Sequence, residues 1–216
     1  MRLVLVGPPG CGKGTQAERL VQQFGLATIG TGAMFRDAIA RDTDMGRKVK
    51  PLMDRGLLVD DSTVNDVVAE LFRSPARPER FVMDGYPRTY SQAIAFDALL
   101  RQQCLVLNAV VNLTIDDEVV VRRISGRRCC SNPECGVCFH AAARPPKVPG
   151  KCDVCGSPLI VRDDDLEETI RRRLTGFHQN TDALLDYYRR QNLVRDITAT
   201  DPPDMVFANI LTALGD

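Results

Sequence analysis

The stretch Gly7-Pro8-Pro9-Gly10-Cys11-Gly12-Lys13-Gly14-Thr15 directly follows the apolar run Leu3-Val4-Leu5-Val6, so a short buried-type strand empties into a glycine loop. Glycine there lets successive backbone N–H groups converge on one point without a Cβ in the way, and the helix that follows adds its positive N-terminal dipole. Such a concavity holds a polyphosphate. Lys13 is placed to reach the β and γ phosphates, and Thr15 to bind Mg2+ through its hydroxyl or to cap the helix. The common pattern G-x-x-x-x-G-K-[ST] is broken at Gly14, one residue before the threonine. An ordinary glycine-rich turn would not account for glycines, a lysine and a threonine at this spacing after a buried-type strand.

Composition sets the outer limits. The chain has 216 residues, enough for one substantial core, and 44% hydrophobic content, which is that of a globular protein. The 28 Lys plus Arg balance 28 Asp plus Glu, so no overall basic field argues for nucleic acid or an anionic membrane. The apolar run before Gly7 is too short for a signal peptide, and nowhere do about 18 apolar residues follow one another. A cytoplasmic, monomeric protein is the expectation.

Apolar runs at Leu3 to Val6, Arg80 to Met83, Ala109 to Leu113 and Leu193 to Ile197 read as strands. Helices are expected at Lys13 to Phe24, Asp61 to Phe72, Ser91 to Gln102, Asp116 to Ser125, Leu166 to Arg190, either continuous or broken near Gly176, and Pro203 to Leu214. Strand and helix alternate, which predicts a doubly wound parallel α/β core. Ligands in such folds bind beyond the carboxyl ends of the strands. Asp84 ends the second run there, either as a Mg2+ organiser or as a turn former before Gly85, and the phosphate loop favours the first. Two insertions interrupt the core: Gly30 to Val59, read as short helices carrying Arg36, and the Cys, Gly and Pro-rich stretch from Gly126 to about Asp165.

Six of the eight cysteines crowd between positions 129 and 155. Cys130-x4-Cys135 and Cys152-x2-Cys155 form two knuckles, each followed by a glycine, Gly136 or Gly156, that permits the tight turn. Four thiolates around Zn2+ make a closed, structural site. About forty residues cannot bury enough apolar surface to fold unaided, which is the reason for a metal staple. Cys129, Cys138 and His140 lie close enough to stand in as ligands. Free thiols or disulfides are the plainer alternatives, and the paired knuckles argue against them.

Thr31-Gly32-Ala33-Met34-Phe35-Arg36, Gly56-Leu57-Leu58-Val59, Asp84-Gly85-Tyr86-Pro87-Arg88-Thr89, Gln92, Gly126-Arg127-Arg128, Pro145-Pro146-Lys147-Val148 and the late stretch Arg162 to Arg173 complete a pattern in which the chain closely resembles adenylate kinase. The resemblance covers nearly the whole chain. It implies reversible phosphoryl transfer from ATP to AMP giving two ADP, on a P-loop doubly wound core (1–29, 60–125 and 166–216) with an AMP-binding flap (30–59) and a zinc-binding lid (126–165). By resemblance Arg36 and Arg88 hold the AMP phosphate. Arg123 packs on the ATP adenine, and Arg127, Arg162 and Arg173 clamp the transferring phosphoryl group. Gly10, Cys11, Gly12, Lys13, Gly14, Thr15, Arg123, Arg127, Phe139 and Asp201 then surround ATP. Thr31, Arg36, Leu57, Val59, Gly85, Arg88, Gln92, Arg162 and Arg173 surround AMP. The catalytic set is Lys13, Arg88, Arg127, Arg162 and Arg173, with Asp84 on Mg2+.

Elementary chemistry supports those roles. Bringing two polyanions together is a task of positioning and charge neutralisation, and guanidinium forks bind phosphate oxygens bidentately. A single arginine is ordinarily a solvated surface charge. Gln92 can donate and accept at once, matching adenine's edge. The family commonly has Asp where this chain has Ala33, which leaves Asp84 to organise Mg2+ alone and shifts the metal dependence. A nucleic-acid module built on the zinc ribbon is disfavoured by the neutral charge balance, 6% aromatics and the absence of Trp. A kinase for a different small acceptor is disfavoured by Gln92 and the Arg88 segment.

Overall fold

The computed structural model describes residues 1–75 and 77–215; positions 76 and 216, both within the expected core ranges, lie outside the described residues. Five parallel strands form the central sheet: β1 (Arg2–Val6), β2 (Ala27–Gly30), β3 (Phe81–Asp84), β4 (Ala109–Thr114) and β8 (Val194–Thr198), in the order β2-β3-β1-β4-β8. Leu3 pairs with Val82 on one side and Ala109 on the other, which makes β1 fully interior. Its residues Leu3, Val4, Leu5 and Val6 are all buried, the continuous apolar reading of a strand covered on both faces.

Alternation sorts those side chains into two layers. Val4 and Val6 join a cluster with Phe72 of α4 (Asp61–Arg73), Phe96 of α5 (Tyr90–Gln102) and Leu184 of α7 (Glu167–Arg189). Leu3 and Leu5 join Leu20 of α1 (Lys13–Phe24) and Ile210 of α8 (Pro203–Leu214) on the opposite face. From β1 the chain runs outward to β2, and from β4 it runs outward to β8 on the other side. Loops that part in this way leave a crevice at the carboxyl ends of the strands.

The two insertions stand at that end. Residues 30–59 hold α2 (Thr31–Ala40) and α3 (Asp44–Asp54). After α6 (Asp117–Ser125) the chain forms a separate antiparallel sheet of β5 (Arg127–Cys130), β6 (Cys138–His140) and β7 (Leu159–Ile160), in the order β6-β5-β7. A 3-10 turn over Asp163–Asp165 returns it to the core at α7.

Two expectations are corrected and one alternative is closed. The edge strand β2 was not anticipated, because only Ile29 of its four residues is buried and pairing with β3 decides its conformation. No break occurs at Gly176: α7 runs unbroken, and its buried face of Ile170, Leu174, Thr181, Leu184, Leu185 and Tyr188 outweighs the roughly 1 kcal/mol that an interior glycine costs. Finally, Cys129 and Cys138 form a disulfide. They stand directly opposite each other in the β5–β6 ladder, a cross-strand pairing that spacing alone does not reveal.

Candidate active site

A cleft of about 2080 Å3 opens above the carboxyl ends of the strands. That is roughly twice the upper range for a pocket taking one small ligand, so two nucleotides have room. The phosphate loop forms its floor, with Gly10, Cys11, Gly12, Lys13, Gly14 and Thr15 all lining it. Gly12 has φ 105°, a left-handed conformation open to glycine but not to a side chain. Gly10 has φ 74°, and a Cβ there would fall 2.5 Å from Ile124 Cγ1. Lys13 Nζ donates to the carbonyl oxygens of Gly7 at 2.7 Å and Pro8 at 2.9 Å, so its own loop holds the ammonium in place.

Asp84 comes to the same loop from β3. Its Oδ2 lies 4.0 Å from the point a Cβ on Gly14 would occupy, and Asp84 lines the cleft beside Thr15. A carboxylate and a hydroxyl next to a phosphate cradle are the hard oxygen donors that suit Mg2+.

Arginines from widely separated segments line the same cleft: Arg36 from α2, Arg88 after β3, Arg123 from α6, Arg127 from β5, Arg162 before the 3-10 turn and Arg173 from α7. Burial lowers the pKa of Arg36, Arg162 and Arg173, and the neighbouring guanidinium groups lower it further; Arg162 is brought to about 10. Each charge is therefore costly as it stands, and a polyanion would relieve all of them at once. Carboxylates partly do so already. Arg173 Nη1 donates to Asp164 Oδ2 at 2.9 Å. Arg127 grips Asp165 with both Nε, at 2.8 Å, and Nη2. Burial works against the Arg127 charge, yet that hydrogen bond and the Asp165 field outweigh it and raise the pKa.

The two ends of the cleft differ. At one, Arg123 Nη1 and Nη2 donate to the carbonyl oxygens of Ala199 (3.0 Å) and Thr200 (3.2 Å), fixing the guanidinium plane beside Asp201 after β8. Phe139 lines the cleft from the cysteine-rich insertion, 4% exposed among Cys130 and Cys152. At the other end Leu57 and Leu58 are exposed and line the wall with Gly85 and Arg88. Arg88 Nε donates to the Gly85 carbonyl at 2.7 Å, and Thr31 Oγ1 donates to the same oxygen at 3.0 Å. Thr31, Val59 and Gln92 are buried just behind this wall and do not line it. The Gln92 side chain accepts from the Arg88 backbone N–H.

In the cysteine-rich insertion, the Sγ atoms of Cys130, Cys135, Cys152 and Cys155 all lie within 4.8 Å of one another, with 3.3 Å between Cys130 and Cys155 and 3.6 Å between Cys135 and Cys152. Four sulfurs about 2.3 Å from a tetrahedral ion would be about 3.8 Å apart, so the set fits a structural metal. The other nearby donors are otherwise engaged. Cys129 and Cys138 are joined to each other, and His140 Nδ1 accepts from the backbone N–H groups of Ala142 (3.1 Å) and Ala143 (3.0 Å).

Sequence reasoning missed Asp164 and Asp165, the carboxylates that orient two of the arginines. The acidic run at 163–165 was visible, but nothing local indicates that it folds back onto Arg127 and Arg173. It also missed Asp61, which accepts from Gln92 Nε2 and Thr89 Oγ1.

Comparison with known proteins gives the family. The family model described as adenylate kinase matches residues 5–193. An adenylate kinase of Streptomyces lividans is 47% identical over 202 residues, covering 94% of this chain and all of the relative. Those of Streptomyces coelicolor (45% identical over 214 residues, 99% of this chain and 98% of the relative) and Archaeoglobus fulgidus (43% over 210 residues, 97% and 96%) match over nearly the same span. With its phosphate loop, two-nucleotide cleft and arginine lining, the chain belongs to the adenylate kinase family.

Proposed function

We propose that this chain transfers the γ-phosphoryl group of MgATP reversibly to AMP, giving two ADP, with the residues of the cleft in divided roles. An oxygen of the AMP phosphate attacks the γ-phosphorus, the bond to the bridging oxygen breaks, and the electron pair leaves with ADP. The protein supplies position and charge for this in-line exchange. Lys13 and the loop N–H groups cradle the β and γ phosphates, while Arg36 and Arg88 hold the acceptor phosphate. Arg127, Arg162 and Arg173 neutralise the charge that spreads over the transferring group. Arg127 spends Nε and Nη2 on Asp165, which leaves Nη1 for an anion. Mg2+, held near Asp84 and Thr15, would neutralise charge on the β and γ oxygens.

The observation that carries this reading is the convergence of six arginines from separate segments on one cleft that already contains a phosphate loop. Arg123, Phe139 and Asp201 form the ATP base end; Leu57 and Gly85 line the AMP end, with Thr31, Val59 and Gln92 buried behind them. Flap (30–59) and lid (126–165) close over both nucleotides and exclude water, which would otherwise attack the γ phosphate. Zn2+ is the metal we assign to Cys130, Cys135, Cys152 and Cys155. Its part is structural, because four thiolates leave no coordination position open.

No helix among the described residues is long and apolar enough to cross a membrane. A cytoplasmic monomer that does not bind nucleic acid is the setting we assign; a reducing compartment would open the Cys129–Cys138 bond. ADP formation from MgATP with AMP, GMP, CMP and UMP in turn, followed by a coupled assay, tests the function. Strong preference for AMP is expected, and comparable turnover with any other acceptor overturns it.

A further inference from the structure

The Gln92 amide is held from both sides. Its Oε1 accepts from the Arg88 backbone N–H at 2.7 Å, and its Nε2 donates to Asp61 Oδ1 at 2.8 Å. A backbone N–H can only donate, and an ionised carboxylate can only accept. The amide therefore has one orientation. Turning it over would set its NH2 against an N–H and its oxygen against a carboxylate, at a residue only 2% exposed. The second Asp61 oxygen is also committed, accepting from Thr89 Oγ1 at 2.7 Å, and Thr89 Oγ1 in turn accepts from the Gln92 backbone N–H at 3.1 Å.

This network joins two parts of the acceptor end. Asp61 opens α4, directly after the flap range, whereas Arg88, Thr89 and Gln92 belong to the loop after β3 and the first turn of α5. An amide can make more bonds than these two: Oε1 keeps a second lone pair and Nε2 a second hydrogen. In the locked orientation what remains is an acceptor beside a donor. A 6-aminopurine presents the complement, an amino donor beside the N1 acceptor. A 6-oxopurine presents the reverse, an oxygen acceptor beside N1–H. Gln92 stands behind the cleft wall, so a base meets this edge once the wall in front of it yields.

We propose that Asp61 is a specificity-determining positioning residue: by locking the Gln92 amide it makes the acceptor site take a 6-aminopurine monophosphate and reject a 6-oxopurine one. This rests on the reading that the acceptor base meets Gln92. Asp61 touches no reacting atom and acts through the amide alone. The Arg88 N–H holds the same orientation from the other side, so loss of the carboxylate weakens the lock without abolishing it.

Inosine monophosphate is the probe, because it differs from AMP only at the 6-position and N1. Asp61→Asn preserves size while allowing position 61 to donate as well as accept. Its ratio of kcat/KM for AMP over inosine monophosphate should fall about tenfold or more, the worth of one buried polar mismatch. KM for MgATP and the melting temperature should stay near the parent values. Asp61→Ser, whose hydroxyl also serves either way, should show the same fall if the first variant folds poorly. A folded variant that loses activity equally toward both acceptors, with the ratio unchanged, overturns the proposal and leaves Asp61 merely structural. If the parent enzyme itself uses both acceptors alike, it is the reading that the base meets Gln92 that fails.

Discussion

Replacing Asp165 by Asn would probe how the lid is fastened to the catalytic cleft. The Asp165 side chain is 1% exposed and takes two hydrogen bonds from Arg127, whose side chain is 26% exposed. Arg127 begins β5 and Asp165 ends the 3-10 turn, so the pair clamps the two strands of chain that enter and leave the lid. Asparagine keeps the shape but supplies one acceptor instead of two, and its NH2 then faces a guanidinium N–H. The loss is one charge-assisted bond, one unpaired donor and part of the arginine's compensation, together about 2–4 kcal/mol. Opening at the lid base should become about thirty- to eight-hundredfold more frequent. Native-state hydrogen exchange of the β5 amides reads this directly, with β1 amides as the internal reference, since they should be unaffected. Turnover should fall as well, because Arg127 loses the anchor that aims its remaining Nη1. Protection of β5 within threefold of the parent would refute the clamp.

Arg88→Ala should lower turnover about a hundred- to thousandfold, the scale of losing one transition-state donor, and an unchanged rate in the coupled assay would remove Arg88 from the mechanism. Protein purified without added zinc should carry close to one equivalent of tightly bound metal by elemental analysis, and Cys152→Ser should unfold the lid while the core keeps its far-UV spectrum; less than half an equivalent would sink the metal site. Unfolded, chelated protein prepared without reductant should titrate six thiols, the count left by the Cys129–Cys138 bond, and a titre of eight would mean that bond is absent. Activity should vanish in excess EDTA, and Asp84→Asn should raise the Mg2+ concentration needed for half-maximal rate; full activity without metal would refute the role given to Asp84.

Much of the fold was legible because its signals are local. β1, β3 and β4 are continuous apolar runs that stand out, β8 shows only Val194 and Ile197 around a charged pair, and the helices between them carry buried faces at helical spacing. The helix starts at Asp60, Thr89 and Asp116 are marked by side chains that accept from the backbone N–H groups of Thr63, Gln92 and Glu118. β2 was not legible, since a four-residue edge strand with one buried side chain differs little from a loop until a neighbour pairs with it. Gly176 left a break open for the opposite reason: propensity is a weak term, and the packing of α7 overrides it.

At the site, the division follows the range of the interaction. Sequence by itself determined the phosphate loop, whose geometry lies within nine consecutive residues, and the two cysteine knuckles, whose four sulfurs the fold then gathers within 4.8 Å of one another. It also supplied the arginines that line the cleft, through the resemblance of their motifs. Only the tertiary structure decided which carboxylate answers which cation: Asp165 for Arg127, Asp164 for Arg173, and Asp61 for the Gln92 amide. It likewise joined Cys129 to Cys138 and left Cys130 with the metal set, although the two cysteines are adjacent in the chain. A hydrogen bond is directional and extends about 3 Å. Its partner is therefore chosen by how distant segments pack, and the order of residues along the chain carries no record of that choice.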